Sequence, residues 1–344
     1  MDNLTHFAFG AAVGVAVMGR RTKPWKAALW GGICCNLPDV DVFVPYGDPI
    51  RDMTYHRGST HSLLYLTLVS PLIAWVVARI HREQQFMGRW WLAIWLALIA
   101  HPLLDVTTVY GTQLLRPFTD YPFGIGSIFI IDPLFSLPVM LCVIAALAMR
   151  SERRFRVNAI GLALSIGYLG WGMLAQQYVT GIARESLQAQ GIDAQRIEVD
   201  PTALNSILWR VLATTPGGYV EGYYSLLDEK PRIEFVRHAR DDALYERLKS
   251  DWNIDRIAWF THGFFKVFER DGRVYIADLR LGMEPIYTFT FDVGSMREGE
   301  FTPETPRMAP SPVARSSMLG WLWRRLKGEP LQAAGSPRVS SPHP

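Results

Sequence analysis

Apolar residues in this chain come first as long unbroken runs and later as short alternating ones, and the change falls near residue 175. Runs at 62–78, 90–104, 128–149 and 157–175 approach the ~20 residues that cross a hydrocarbon core. Several carry almost no charge around the whole helical circumference, whereas a helix in a soluble protein keeps a polar face. Two shorter runs, 6–18 and 24–35, are too brief to ensure a crossing and read as a helical hairpin. The expected fold is therefore a mainly α-helical multi-spanning membrane domain, with about four long spans plus this hairpin, over residues 1–175.

Beyond that point the pattern turns polar and mixed. Residues 286–293 alternate at period two, 266–280 read as two strands around Arg270-Asp-Gly-Arg273, and 240–250 have a helical pattern. A small α+β domain with an antiparallel sheet is expected over 176–301. Residues 302–344, rich in Pro, Ser and Arg, are expected to be disordered, apart from an aromatic and basic stretch at 318–327 with helical or membrane-surface character.

Composition supports this division. A hydrophobic content of 49% beside a mean hydropathy of only +0.08 is what an apolar half averaged with a polar one produces. A net charge of +3, with no basic stripe interleaved with aromatics, excludes nucleic acid as the expected partner. Cys34, Cys35 and Cys142 lie in apolar runs without C-x-x-C spacing and read as packing residues. Asp2 and the lack of a basic stretch before the first apolar run argue against a cleaved signal peptide. Charge also orients the chain: the loops at 19–26, 79–89 and 150–158 hold eleven Lys and Arg, against Arg51, Arg57 and Arg116 on the alternate loops. The positive-inside rule puts the first set in the cytoplasm and the domain after 175 outside.

Histidine and aspartate then gather on the outer side. His101-Pro-Leu-Leu-Asp105 places imidazole and carboxylate one helical turn apart, close enough to share a metal. Asp39 and Asp41, in Asn36-Leu-Pro-Asp-Val-Asp41, lie two residues apart on one side of an extended chain and offer hard oxygen ligands. His56 and His61, in His56-Arg-Gly-Ser-Thr-His61, offer nitrogen ligands beside a helix start that Ser59 or Thr60 can cap, and Arg57 is a candidate holder of an anionic substrate group. His6 returns to the same end through the hairpin, and Asp132 is either a further ligand or the N-cap before Pro133. The expected cofactor is a divalent metal, one to three ions of zinc or a similar element, held by His6, Asp39, Asp41, His56, His61, His101 and Asp105. Asp41 is the candidate general base.

At these residues the sequence resembles the YdjM family of membrane-bound predicted metal-dependent hydrolases. The resemblance is carried by Leu4-Thr-His-Phe-Ala-Phe-Gly10, Pro38-Asp-Val-Asp41, His56-Arg-Gly-Ser-Thr-His-Ser62 and His101-Pro-Leu-Leu-Asp105, and covers roughly residues 1–175. That family is distantly similar to the zinc-dependent phospholipase C and single-strand nuclease superfamily, which implies phosphodiester or lipid-linked ester hydrolysis at the outer surface of a bacterial inner membrane. The alternative is a non-enzymatic membrane protein that binds or transports a divalent cation, although no repeated halves or interrupted helix pairs point to transport.

Overall fold

A computed structural model of the chain describes residues 1–310 and 315–329. It divides into two compact units, residues 1–177 with 203–206, and residues 178–202 with the chain from 207 onward. The first unit is helical: α1 (Asn3–Met18), α2 (Pro24–Asn36), α3 (Pro49–Tyr55), α4 (Leu63–His81), α5 (Met87–Val106), α6 (Pro133–Ala148) and the start of α7 (Arg153–Ala189), which runs on into the second unit.

Glycine sets the spacing of α1 against α2. A Cβ at Gly14 would lie 2.1 Å from the Ala27 carbonyl oxygen, and one at Gly31 would lie 2.2 Å from that of Gly10, so the two backbones touch. Such small-residue faces suit helix pairs inside a bilayer, where close backbone approach replaces the hydrophobic drive between them. α4 and α5 form the next hairpin; Trp91 and Trp95 donate their indole N–H groups to Ser70 and Thr67 at 3.0 Å, which satisfies polar atoms within apolar surroundings. Ala74, Val77, Trp90, Ile94 and Leu98 pack in the same core as Cys34 and Cys35 at the end of α2.

Among the described residues, three helices are long and apolar enough to cross a membrane: Leu63–His81, Gln84–Val106 and Arg153–Ala189. The fourth expected run, 128–149, is helical only from Pro133. Asp132 ends the preceding irregular segment, accepting from Leu134 N at 3.0 Å as the N-cap, and leaves a helix of 16 residues. The hairpin helices are short as well, 16 and 13 residues.

The second unit is α+β. β1 (Arg196–Pro201), β2 (Leu208–Thr215), β3 (Gly218–Ser225) and β4 (Val236–Ala239) form one antiparallel sheet in sequential order. After α8 (Asp242–Leu248) and α9 (Trp252–Phe260) come β5 (Phe265–Arg270), β6 (Arg273–Asp278), β7 (Gly282–Met283), β8 (Ile286–Tyr287), β9 (Thr290–Arg297) and β10 (Glu300–Met308). The second sheet has the order β10-β9-β6-β5, and β7 and β8 form a small ribbon. The alternation at 286–293 is thus shared by two strands rather than making one. β10 also overturns the expectation of disorder from residue 302: Thr302 and Pro303 pair with Ser295 and Gly294, and Arg307 and Met308 with Asp292 and Phe291, because backbone pairing compensates for a polar, proline-bearing sequence. Within the expected tail, α10 (Arg315–Leu326) packs Trp321, Leu322 and Leu326 against Leu208, Tyr223 and Met283, and Arg325 pairs with Asp228 at 2.6 Å. The disorder expected at 311–314 and 330–344 lies outside the described residues. Buried charge marks this unit too: Arg210 pairs with Glu221 at 2.5 Å, Arg280 pairs with Asp278 at 2.8 Å, and burial pushes Glu198 up to about 7.

Candidate metal centre

α5 ends inside the first unit with His101 and Asp105 on its buried face, as the four-residue spacing requires. His61 stands in a 3-10 turn, Ser59–His61, just before α4. Ser62, rather than Ser59 or Thr60, caps α4 by accepting from Tyr65 N. Asp39 and Asp41 lie in another 3-10 turn, Leu37–Phe43, and not in an extended segment. Successive side chains in such a turn are ~120° apart, so residues two apart diverge instead of sharing a side.

That divergence sorts the two aspartates. Asp39 Oδ1 lies 3.4 Å from His61 Nε2 and 3.3 Å from His101 Nε2. Asp105 Oδ2 lies 3.4 Å and 3.3 Å from the same two atoms, which are 3.0 Å from each other. A regular tetrahedron with edges of about 3.3 Å has its centre about 2.0 Å from each corner, the length of zinc–nitrogen and zinc–oxygen bonds and shorter than the ~2.3–2.6 Å of calcium sites. Asp39 Oδ1 and Asp105 Oδ2 are buried without a hydrogen-bond partner, a costly condition that a cation among the four donors relieves. Asp39, His61, His101 and Asp105 therefore fit a divalent ion in donor type, count and spacing.

Asp41 has turned away to support this set. Its Oδ1 accepts from His56 Nδ1 at 2.9 Å; its Oδ2 accepts from the Thr60 hydroxyl at 2.7 Å and from Arg57 N at 3.2 Å. The Thr60 hydroxyl gives its one proton to Asp41 and so accepts from His61 Nδ1, 3.0 Å away. His61 then carries its proton on Nδ1 and presents the lone pair of Nε2 to the other donors, the orientation that ligating histidines receive from a hydrogen-bonded neighbour. Burial by itself would raise the carboxyl of Asp41, but hydrogen bonds from His56 and Thr60 hold it below its usual range. The nearness of His101 and His61 likewise outweighs burial at Asp39 and holds its carboxyl below the usual range.

The remaining expected residues surround this core. His56 Nε2 is 4.0 Å from Asp39 Oδ1, and His56, Asp39 and Asp41 form a second group within ligand reach. His6 stacks on His101 with ring centroids 3.8 Å apart and reaches Asp105 Oδ1 at 3.3 Å. Arg57 is buried, with its guanidinium 3.1 Å from Asp105 Oδ1 and over the Tyr110 ring. It offsets the carboxylate from the side away from the tetrahedral set. Asp132 stays outside, bound as a cap and accepting from the Tyr168 hydroxyl at 2.8 Å. Three contributors were missed by sequence reasoning. The Met1 amine donates to Asp105, Cys35 shares a ligand-capable group with His6 and His101, and Thr60 mediates between Asp41 and His61. Cys35 lacks any spacing motif, and only adjacency to His61 singles out Thr60.

Residues 1–179 match the family described as YdjM inner membrane protein. Over 278 residues the chain is 25% identical to the uncharacterized protein YfhP of Bacillus subtilis (strain 168), covering 74% of this chain and 82% of that protein. Over 123 residues it is 32% identical to the inner membrane protein YbcI of Escherichia coli (strain K12), covering 35% of this chain and 69% of that protein. No solved structure matches it. The first-unit helices, the His and Asp set at their ends and the match over more than half its length agree: the chain belongs to the YdjM inner membrane protein family.

Proposed function

We propose that this protein is a membrane-bound metal-dependent hydrolase, with one zinc ion held by Asp39, His61, His101 and Asp105 at the extracytoplasmic ends of its spans. The observation that carries the reading is the four-donor set, with neighbouring donors 3.0–3.4 Å apart and two of its buried oxygens unpartnered. Such an ion supplies Lewis acidity and a nucleophile at neutral pH.

The chain's own groups complete the arrangement. Asp41 fixes His56 through Nδ1, which leaves Nε2 free to take a proton beside Asp39. The role of base thereby moves from Asp41 to His56, and Asp41 becomes a positioning residue. Arg57 and His6 hold Asp105 in place from its other oxygen. The eleven basic residues of the loops at 19–26, 79–89 and 150–158 support an outward-facing site and an extracytoplasmic second unit.

The test is metal quantification on purified protein, followed by hydrolysis of bis(p-nitrophenyl) phosphate and a p-nitrophenyl ester by wild type, His101→Ala and Asp105→Ala. Bound zinc and turnover in wild type, both lost in the variants, are expected. Metal and turnover unchanged in both variants would refute the site. Bound metal without turnover on any ester would leave the cation-binding reading in its place.

A further inference from the structure

The turn that carries Asp39 and Asp41 is apolar on its outer side. Between and after the two buried or half-buried aspartates, Val40 is 52%, Val42 65% and Phe43 83% exposed. A second loop at the same end presents Phe118, 81% exposed. It is tied to the first turn of α4 by Leu63 N donating to Leu114 O at 3.0 Å and by the Ser62 hydroxyl donating to Arg116 O at 2.5 Å. From there Leu64 and Leu68 continue an exposed apolar surface along α4 itself. α4 has 19 residues and so spans about 28 Å, close to a bilayer's ~30 Å hydrocarbon core. The loop residues therefore prolong, past the helix end, a surface already suited to lipid. Among the residues of the centre, His56 and Asp39 keep the most side-chain exposure, and Asp39 directly precedes Val40.

Resting on the hydrolase reading, we propose that Val40, Val42, Phe43 and Phe118 seat in the bilayer beside the opening of the metal centre. The substrate is then a membrane-resident amphiphile, hydrolysed at its headgroup while its chains stay in the leaflet. A patch this apolar, on a loop bearing the ligand carboxylate of Asp39, places hydrocarbon and a hydrophilic reaction site within one residue of each other.

Two measurements separate this inference from the reading it rests on. The full chain with Phe43→Cys or Phe118→Cys, carrying a nitroxide, is placed in vesicles of phosphatidylethanolamine and phosphatidylglycerol. Oxygen collisions should exceed those of a polar nickel chelate at both positions; the reverse order puts the loops in water and overturns the proposal whatever the enzyme does. Phe43→Asp and Phe118→Asp should retain metal and keep turnover of bis(p-nitrophenyl) phosphate within about twofold. They should lose about tenfold or more on phosphatidyl-p-nitrophenol in the same vesicles, the scale set by withdrawing one Phe side chain from hydrocarbon. Equal effects on the two substrates overturn the proposal and leave the hydrolase reading standing. Wild type inert toward both overturns the hydrolase reading and, with it, the assignment of substrate.

Discussion

Replacing Thr60 by valine isolates one hydrogen in the candidate metal centre. The side chains are nearly the same size, so packing in the turn before α4 is kept, but the 2.7 Å bond to Asp41 and the 3.0 Å bond from His61 Nδ1 both vanish. His61 then loses what fixes its protonated nitrogen, and Asp41 loses one of its donors. Outer partners of ligating histidines are worth ~10–100-fold in metal affinity, or ~1.4–2.7 kcal/mol. A hydrogen bond to a charged group, worth ~1.5–3 kcal/mol, leads to the same range. Zinc affinity, measured by competition with a chromogenic chelator on purified protein, should fall by that factor in Thr60→Val and stay near wild type in Thr60→Ser. An affinity within about twofold of wild type in Thr60→Val, or an equal loss in Thr60→Ser, would refute the relay from Asp41 to His61.

Two further outcomes follow from other parts of the structure. Gly14→Val puts a Cβ where Ala27 O lies 2.1 Å away, with only backbone to give way, so α1 and α2 must separate by about 1 Å. Overpacking of this kind costs ~1–3 kcal/mol, and the unfolding midpoint in detergent should drop accordingly; an unchanged midpoint refutes the backbone contact. In the second unit, Glu198 has its folded pKa raised to about 7 from an ordinary 4.5, so folding favours the protonated form. Its destabilisation is absent below the unfolded value and grows as pH rises through that interval. Thermal unfolding near pH 5 and pH 8 should show wild type losing stability toward the higher pH more than Glu198→Gln does, and parallel curves would contradict the assignment.

Much of the first unit could be read from sequence because its signals are local. Apolar runs mark α4, α5 and α7, and the i, i+4 spacing of His101 and Asp105 puts both on one face without knowledge of any other helix. The separation of Asp39 from Asp41 was not legible, since it depends on a 3-10 turn whose angle no residue type announces. Nor was the partner of Arg57: its charge reads as a substrate handle in the sequence, and tertiary contact alone brings it to Asp105. The end of the β domain was misjudged for a related reason. Proline and charge in 302–308 argue against a strand taken alone, and only pairing with β9 makes one.

Asp105 receives contacts from Met1, His6, Arg57, His61 and His101, groups that belong to three separate stretches of chain. Each hydrophobic helix can enter a bilayer by itself, but a lone Asp105 in that setting has no counter-charge. Only when α1, the turns bearing Asp39 and His61, and α5 have all arrived does this carboxylate gain its full company and the candidate site its four donors. On the reading proposed above, an ion held by Asp39, His61, His101 and Asp105 is therefore a reporter that these stretches have docked.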